Sequence, residues 1–393
     1  MSVNAIRGFA ALAPAAVLSA CAASPLPVAT RPHTPEAPVA VVYLIGDAGY
    51  GVGRPPVMTQ LRADIDRARG ATPVVVFLGD NVYPAGVRDA DHPGFEQDST
   101  HLESQVDVLR GARARGIFIP GNHDWANSGA EGLRRMQNQT AFLRRRADAG
   151  VLVEMSPADG CPGPDVIDLE GAVRLIALDT HWWLHDRDER VNPVCGNRTE
   201  VEILADLDAA LSELPDGRRA VVVAHHPLES FGRHGGYFSG RSVFFPLTDV
   251  VPWLYVPIPF IYTGVRNAGI TAQDLPNARN SHMRRRLQEI FEQHRGEPLV
   301  YASGHEHTLQ VLDGFGLGVG THLVSGAGSD LQHVEDVPRA AFVSGSGHGE
   351  RGFMKLEVFG DGSALVSVYT DGTRCVGSDC PPGPVLRYAS IIR

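Results

Sequence analysis

The sequence is almost without lysine and has no excess of positive charge. Lys355 is its only lysine, and in 393 residues 35 Lys and Arg stand against 45 Asp and Glu, which gives a formal net charge of -10. Proteins that bind nucleic acid present a basic surface to the phosphates. We therefore expect no nucleic-acid partner and a small molecule as substrate.

The sequence also lacks an apolar run long enough to cross a bilayer. Near the N-terminus, Arg7 is followed by a short apolar stretch over residues 9–17. This pattern is typical of a secretory signal peptide, which we place over residues 1–20. The protein is therefore expected to be exported, to the periplasm or the outer membrane.

The signal peptide ends at Leu18-Ser19-Ala20-Cys21, which resembles the lipobox of bacterial lipoproteins. In a lipoprotein Cys21 is acylated, becomes the first mature residue and anchors the chain to a membrane. The alternative is simple cleavage next to small residues, which gives a soluble secreted protein. Ala22 in the second mature position favours the outer membrane over the inner one. Residues 21–38 are rich in Pro, Ala and Thr and predict a flexible tether.

Cysteine is scarce, and four cysteines follow Cys21. An even number in an oxidising compartment indicates disulfides. Cys375 and Cys380 would close a small loop and leave Cys161 to pair with Cys195, although three pairings are formally possible. A zinc site is the alternative, and it is disfavoured because no histidine stands at ligand spacing beside these cysteines.

Glycine and proline are abundant, with 43 and 28 residues, so we expect many turns between short strands. Strand and helix patterns alternate as far as Thr321, and strand patterns alone follow. This order predicts an α/β fold, a four-layer α/β/β/α sandwich of two mixed β-sheets flanked by helices, in one domain over residues 39–393. The predicted strands are 39–45, 73–78, 117–119, 173–178, 220–224, 299–302, 322–325, 353–359 and 364–369, and the predicted helices are 56–69, 102–115, 132–147, 200–214 and 283–294.

Residues 231–280 do not fit the alternation and predict an insertion. The stretch 250–261 is apolar, but prolines interrupt it and it is too short to span a membrane. We interpret it as a surface excursion whose apolar side chains fold back onto the body. The alternatives are a lid over the functional site and an interfacial contact that assists a lipid anchor.

Side chains typical of metal ligands follow five predicted strands. They are Asp47, Asp80, Asn122, His225, and His305 with His307. Ligands bind at the carboxyl ends of strands in open α/β sheets, so these side chains are expected to converge. Oxygen and imidazole donors without cysteine suit iron, manganese or zinc. The set exceeds the needs of one ion and predicts two ions with Asp80 between them. Taken alone, Asp80 could instead be a helix N-cap, with Tyr83 in the core.

These motifs resemble those of the calcineurin-like metallophosphoesterases, and among them the purple acid phosphatases of the tartrate-resistant type. The family pattern is Asp-x-His, Gly-Asp, Gly-Asn-His-Asp/Glu, His and Gly-His-x-His. This chain has Gly49 in place of the first histidine and Tyr83 where the purple enzymes have a phenolate ligand. The two departures belong together, because exchanging an imidazole for a phenolate favours Fe(III). The resemblance covers roughly residues 39–370.

The resemblance implies a dinuclear centre of Fe(III) and a divalent ion, which would be iron, zinc or manganese. The implied ligands are Asp47, Asp80, Tyr83 and His307 for the first iron, and Asp80, Asn122, His225 and His305 for the divalent ion.

The resemblance also implies which residues contact the substrate. His123 and His234 are the predicted catalytic residues, and with Asn122 and Arg233 they form the predicted substrate-binding set. In the tartrate-resistant type a glutamate precedes the second histidine. Arg233 takes that place here, and its planar guanidinium could bind phosphate. His226 is interpreted as a packing residue.

The predicted function is hydrolysis of phosphate monoesters by a secreted or lipid-anchored enzyme, in which a hydroxide held by two metal ions attacks phosphorus. A phosphodiesterase or nucleotidase is the first alternative, because the ligands specify the reaction type better than the substrate. The second alternative is a non-catalytic surface lipoprotein, which is disfavoured because every expected ligand is present.

Overall fold

The computed structural model describes residues 26–34, 36–50, 55–169, 172–185, 191–215, 217–249, 251, 253–295, 297, 299–314, 316–375 and 383–393. The predicted signal peptide and Cys21 lie outside these residues. The strands within them are β1 (Ala40–Ile45), β2 (Val74–Phe77), β3 (Arg115–Phe118), β4 (Val153–Met155), β5 (Asp165–Leu169), β6 (Val173–Ala177), β7 (Arg219–Val223), β8 (Leu299–Ser303), β9 (Leu309–Asp313), β10 (Thr321–Ser325), β11 (Ala340–Ser344), β12 (Gly352–Val358), β13 (Ala364–Thr370) and β14 (Val385–Ile392). The α-helices are α1 (Pro56–Arg67), α2 (Phe95–Val106), α3 (Gly132–Asp148), α4 (His181–Leu184), α5 (Glu200–Ser212), α6 (Gly240–Phe244), α7 (Ile261–Asn267) and α8 (Ala278–Gln293).

The strands form two mixed sheets of seven strands each. The first has the order β14-β13-β12-β1-β2-β3-β4, and the second has the order β11-β9-β10-β8-β7-β6-β5. Strands β1 to β4 pair in parallel, whereas β12, β13 and β14 pair antiparallel beside them. In the second sheet β6, β7, β8 and β10 pair in parallel.

Apolar side chains hold the layers together on both faces of each sheet. Leu44 of β1 and Val223 of β7 belong to a cluster between the two sheets. The neighbouring Tyr43 points to the opposite face of β1, where it joins Met58 of α1 in a second cluster. Leu287 of α8 belongs to a third cluster, on the outer face of the second sheet. The four-layer sandwich predicted from the sequence is therefore confirmed.

Hydrogen bonds join the two sheets at the carboxyl ends of their parallel strands. The backbone N–H of Gly46 donates to the carbonyl of Ser325 (2.7 Å), and the Ser325 hydroxyl donates to the carbonyl of Leu44 (2.7 Å). The loops that follow β1 and β10 are thus held side by side, and the predicted ligands lie at this end of the sandwich.

The helix predicted over residues 102–115 is wrong in its bounds. The observed helix, α2, begins seven residues earlier and has Asp98 in its first turn. A carboxylate there interacts favourably with the positive end of the helix dipole. Residues 107–112 continue as successive turns, with Gly111 at a φ of 69°. A glycine in the left-handed region commonly follows a helix, and here it ends the helical turns.

One of the two predicted disulfides is observed. Cys161 is bonded to Cys195, across 34 residues of sequence. Cys375 is also disulfide-bonded, whereas its predicted partner Cys380 lies outside the described residues. The zinc alternative is therefore wrong for the Cys161–Cys195 pair.

Part of the segment predicted as a tether lies against the domain. Arg387 of β14 donates from Nη1 to the carbonyl of Leu26 (2.6 Å), and Arg31 pairs with Glu357 of β12 (2.7 Å). The described part of this segment therefore contacts the first sheet. Among the described residues, no helix combines the length and the apolar character needed to span a membrane.

The insertion over residues 231–280 contains α6 and α7 but little other regular structure. Its apolar side chains do not all fold back as predicted, because Trp253 is 77% exposed and Phe260 is 64% exposed. Pro257 and Pro259 lack the N–H that a helix or sheet would need, so this part forms an exposed loop. The C-terminal part of the insertion instead reaches the candidate site.

Candidate metal centre

The predicted metal ligands converge at the carboxyl ends of strands from both sheets. They are almost completely buried, with relative exposures of 0% for Asp47 and His225, 1% for Tyr83, 2% for Asp80, 3% for Asn122 and His305, and 8% for His307. No helix starts at Asp80, since the next one is α2, so the N-cap alternative is wrong.

One group of donors surrounds the Tyr83 hydroxyl. Its oxygen lies 3.2 Å from Asp47 Oδ1, 3.1 Å from Asp80 Oδ2 and 3.1 Å from His307 Nε2. Two carboxylates, a phenol and an imidazole therefore share one buried point, and these are the residues that the resemblance implies for the first iron.

A second group surrounds the amide oxygen of Asn122. Asn122 Oδ1 lies 3.0 Å from His225 Nε2 and 3.1 Å from His305 Nδ1, and these two ring nitrogens are 3.2 Å apart. Asp80 Oδ1 lies 3.5 Å from His225 Nε2. The two oxygens of Asp80 thus face the two groups, one oxygen to each.

The donor set fits a pair of cations. The lone pairs of two imidazole nitrogens and one amide oxygen point at the same place in the second group. Only protons or a bound cation can satisfy all three of them. His225 contacts the carbonyl of Leu78 through Nδ1 (2.8 Å), which fixes the tautomer that leaves Nε2 as a donor to a metal. Buried carboxylate, phenol and imidazole groups without a thiolate suit iron, zinc or manganese.

The electrostatics of the site also favour a cation. Burial opposes protonation of His225, but the Asp80 carboxylate outweighs it and raises the pKa of His225 to about 9. Burial alone would raise the pKa of Asp80, yet the charge of His225 lowers it. Burial lowers the pKa of His307 to about 4 and, with the nearby carboxylates, raises the pKa of the Tyr83 phenol well above its usual value. A phenolate at Tyr83 therefore needs a cation, and metal binding must displace the proton of His225.

The structure explains why residue 49 is a glycine. A Cβ at Gly49 would lie 2.5 Å from the carbonyl carbon of Asn81 and 2.7 Å from the carbonyl oxygen of Asp80. Both neighbours are backbone atoms that cannot move aside, so no imidazole fits at this position. Tyr83 brings a donor to the site without that close approach.

Asp124 supports the site from outside, a role that the sequence analysis does not assign. Its buried carboxylate accepts hydrogen bonds from the backbone N–H groups of Asn81 (2.9 Å), Val82 (3.1 Å) and Gly121 (2.8 Å). Burial raises its pKa to about 6. Asp124 thereby joins the loop of Asp80 to that of Asn122. The sequence feature that could have indicated this role is its position in the motif Gly121-Asn122-His123-Asp124.

Asn127 orients Asn122 from a strained turn. Ala126, Asn127 and Ser128 have φ values of 51°, 53° and 65°, and such left-handed conformations are unfavourable for residues with side chains. Asn127 Oδ1 accepts from Asn122 Nδ2 (2.7 Å), which directs Asn122 Oδ1 towards the two histidines. Nothing in the local sequence pattern predicts this role.

Two of the predicted substrate residues, His123 and His234, lie beside the donor groups, and their side chains are 28% and 15% exposed. His123 is held by a contact of Nδ1 with the carbonyl of Pro84 (2.6 Å), and its Nε2 lies 4.0 Å from Asp80 Oδ2. The ring centroids of His234 and His305 are 4.0 Å apart. Arg233 is directed elsewhere, since its Nη2 lies 3.1 Å from Asp249.

His226 lies beside the predicted ligands, but its nitrogens have other partners. Nδ1 lies 3.0 Å from the Thr180 hydroxyl, and Nε2 lies 2.8 Å from Gln273 Oε1. Although His226 could form a metal-binding group with His225 and His305 by distance alone, these hydrogen bonds agree with a packing role.

Comparisons with known proteins identify the family. The sequence profile of the calcineurin-like phosphoesterases matches residues 40–309, so the chain belongs to this family. A comparison with curated proteins gives no match. The fold is similar to that of the purple acid phosphatase PPD1 from yellow lupin (Lupinus luteus) seeds, with a TM-score of 0.51 and 15% identity over 88% of this chain and 54% of that chain. It is also similar to PhoD, with a TM-score of 0.51 and 14% identity over 91% of this chain and 70% of that chain. The chain thus spans about half the length of the lupin enzyme, and at these identities the likeness shows the fold alone.

Replacing Asn122 by Ala is expected to remove the divalent ion selectively. The amide oxygen faces His225 and His305 but not the Tyr83 group. Elemental analysis of the reconstituted protein should therefore fall from about two metal ions per chain to about one. Asn138→Ala, which removes an amide that contacts the carbonyl of Val87, is the matched control. An unchanged stoichiometry in Asn122→Ala would count against two separate metal positions.

Proposed function

We propose that the chain is an exported, metal-dependent hydrolase of phosphate monoesters with a centre of Fe(III) and a divalent iron, zinc or manganese ion. The observation that carries this proposal is the position of Asp80, whose two oxygens face two donor groups, only one of which contains the Tyr83 phenol. Membership of the calcineurin-like phosphoesterases supports the reaction class.

Different residues of the site would bind the cations and contact the substrate. When bound, two such cations lower the pKa of water and neutralise charge on phosphate oxygens. Asp47, Asp80 and Tyr83 supply the negative charge that holds them. His123 is 28% exposed at the side chain and is fixed through Nδ1. Since a carbonyl only accepts, Nδ1 carries the proton in this contact, and Nε2 faces away from Pro84; the imidazolium form of His123 can therefore donate from Nε2 to a phosphate oxygen.

The test compares two esters that differ only in the number of aryl groups. The metal-loaded protein is assayed with p-nitrophenyl phosphate and with bis(p-nitrophenyl) phosphate, and the metal-free protein is the blank. We expect a higher kcat/KM for the monoester. A preference for the diester would make the protein a phosphodiesterase, and no hydrolysis of either ester by a protein with full metal content would favour the non-catalytic alternative.

We also propose that the mature chain is anchored to a membrane through acylated Cys21. Cys21→Ala is expected to move the protein from the sedimenting membrane fraction to the soluble fraction, because one lipid-modified residue supplies the attachment. Immunoblots of both fractions measure the change, with Ser24→Ala, a nearby substitution outside the lipobox, as the control. If Cys21→Ala still sediments with membranes, the anchor is elsewhere.

A further inference from the structure

The insertion brings a buried carboxylate to the predicted catalytic histidine. Asp274 Oδ1 lies 2.9 Å from His234 Nδ1, and the Asp274 side chain is only 1% exposed. Asp274 stands forty residues after His234 in the sequence, so only the fold of the insertion places them together. The glutamate that precedes this histidine in the tartrate-resistant enzymes is absent, and Arg233, which stands there, pairs with Asp249.

Asp274 is in turn held by two other residues of the insertion. Arg266 approaches it side-on, with Nε 2.6 Å from Oδ2 and Nη2 in contact with Oδ1. The hydroxyl of Thr271 donates to Oδ2. Burial opposes ionisation of Asp274, but the hydrogen bonds from His234 and Arg266 outweigh it and hold the pKa of Asp274 below its usual value. Asp274 is therefore a fixed anion with a set orientation.

A fixed anion at Nδ1 determines which nitrogen of His234 can meet the substrate. An ionised carboxylate accepts hydrogen bonds and cannot donate them, so Nδ1 must carry a proton and donate it in a hydrogen bond to Asp274. Arg266 Nη2 also lies 3.0 Å from Nδ1. A guanidinium only donates, so this contact would be a hydrogen bond only if Nδ1 lacked its proton; the carboxylate at 2.9 Å favours the protonated Nδ1 instead. Nε2 is at the opposite end of the ring from Asp274. The backbone of His234 is fixed as well, because its N–H donates to the buried Glu306 (2.7 Å).

We propose that Asp274, held by Arg266, is a positioning residue that presents Nε2 of His234 to the leaving-group oxygen of the substrate. This inference rests on the proposed function. As the P–O bond breaks, the leaving oxygen takes the proton from Nε2 of the imidazolium, and His234 remains as the neutral tautomer with its other proton directed to Asp274. Solvent then restores the proton, so water and ester yield alcohol and phosphate.

The test uses the dependence of the rate on the leaving group. A proton donor matters for a basic leaving group and matters little for one that leaves as a stable anion. Asp274→Asn is therefore expected to lower kcat for phenyl phosphate by roughly 10²-fold, within the range for general acid catalysis, and to change kcat for p-nitrophenyl phosphate much less. His234→Gln should show the same selectivity, and the double variant should lose no more than His234→Gln alone.

Asp98→Asn is the matched control. Asp98 is likewise buried and accepts two hydrogen bonds from one arginine, Arg88 (2.6 and 2.7 Å), but it contacts no histidine of the site. Any effect of this variant should be equal for both esters. If Asp274→Asn lowers kcat equally for both esters, or lowers it for neither, the proposal is overturned. Should Asp274→Asn fail to fold, Arg266→Lys keeps the charge and loses the two-nitrogen contact, and a smaller loss with the same selectivity is expected.

A second readout separates this inference from the proposed function. In the metal-free protein, ¹⁵N NMR of the imidazole rings, assigned with His234→Gln, should show a proton on Nδ1 of His234. In Asp274→Asn that preference should be lost. A protein without phosphatase activity that nevertheless shows this tautomer would refute the proposed function only, whereas a wild-type protein with the proton on Nε2 alone would refute the positioning role.

Discussion

Asp80→Asn is expected to lower kcat/KM for p-nitrophenyl phosphate by about 10³-fold, or about 4 kcal/mol of transition-state stabilisation. Asp80 is the side chain whose oxygens face both donor groups, at 3.1 Å from the Tyr83 oxygen and 3.5 Å from His225 Nε2. An amide of the same size supplies one oxygen, no charge and a nitrogen that cannot bind a cation. Steady-state kinetics and elemental analysis after metal reconstitution measure the effect.

The control for this variant is a carboxylate on the surface. Asp66 pairs with Arg62 one helical turn away, and its side chain is 51% exposed. Asp66→Asn should leave kcat/KM and metal content unchanged, because exposed pairs contribute little. If Asp80→Asn kept two metal ions and normal activity, the carboxylate would not be shared between them.

Tyr83→Phe is expected to abolish the visible absorption band of the iron-loaded, oxidised protein. The band would arise from charge transfer between a phenolate and Fe(III). Tyr83 is the phenol within reach, since its oxygen lies 3.1 Å from His307 Nε2 in a buried setting that disfavours ionisation without a cation. Absorption spectra of both proteins, recorded at equal iron content, measure the loss.

Tyr50→Phe provides a close control for the colour. The Tyr50 ring stacks on that of Tyr83, with centroids 4.0 Å apart, and Tyr50 itself is 53% exposed. Removing its hydroxyl should leave the band in place. A wild-type protein that binds iron but stays colourless after oxidation would contradict the assignment of Tyr83 as a ligand.

The positions of the candidate ligands could be predicted because they follow strands whose sequences are clear. Each of β1, β2, β7 and β8 is buried along its whole length, and apart from Arg219 at the start of β7 and Ser303 at the end of β8 its residues form an uninterrupted apolar run whose end is easy to locate. Residues just beyond such ends meet at one edge of a sandwich, and their convergence follows from the fold class.

The strands that the pattern does not predict are mostly the outer ones. Strands β4 and β14 are the edges of the first sheet, and β5 and β11 are the edges of the second. Edge strands are only partly covered, as in β5, where Asp165, Ile167 and their neighbours are intermediate or exposed. The sequences of β4 and β5 therefore lack a continuous apolar run, whereas β11 has a short one that is only partly buried. Strand β9 is the exception, since it pairs on both sides.

The supporting residues could not be predicted for a different reason. Asp274 and His234 are far apart in the sequence, and no local pattern relates them. Asn127 depends on a turn of three left-handed residues, a conformation that Asn adopts readily but that Ala126 and Ser128 do not favour. Contacts that depend on the path of an insertion or on unfavourable backbone angles become visible only in three dimensions.

Three of the candidate ligands occupy backbone positions that would suit glycine. Asp47, Asp80 and His305 have φ values of 57°, 53° and 69°, and the neighbouring Gly79 has a φ of 85°. Such angles cost most residues with a side chain about 1 kcal/mol or more, although Asp and His adopt them more readily than other residues. Glycine would fit each of these backbone angles but would remove a candidate ligand, so these three positions favour chemistry over an unstrained backbone, as is common at functional sites.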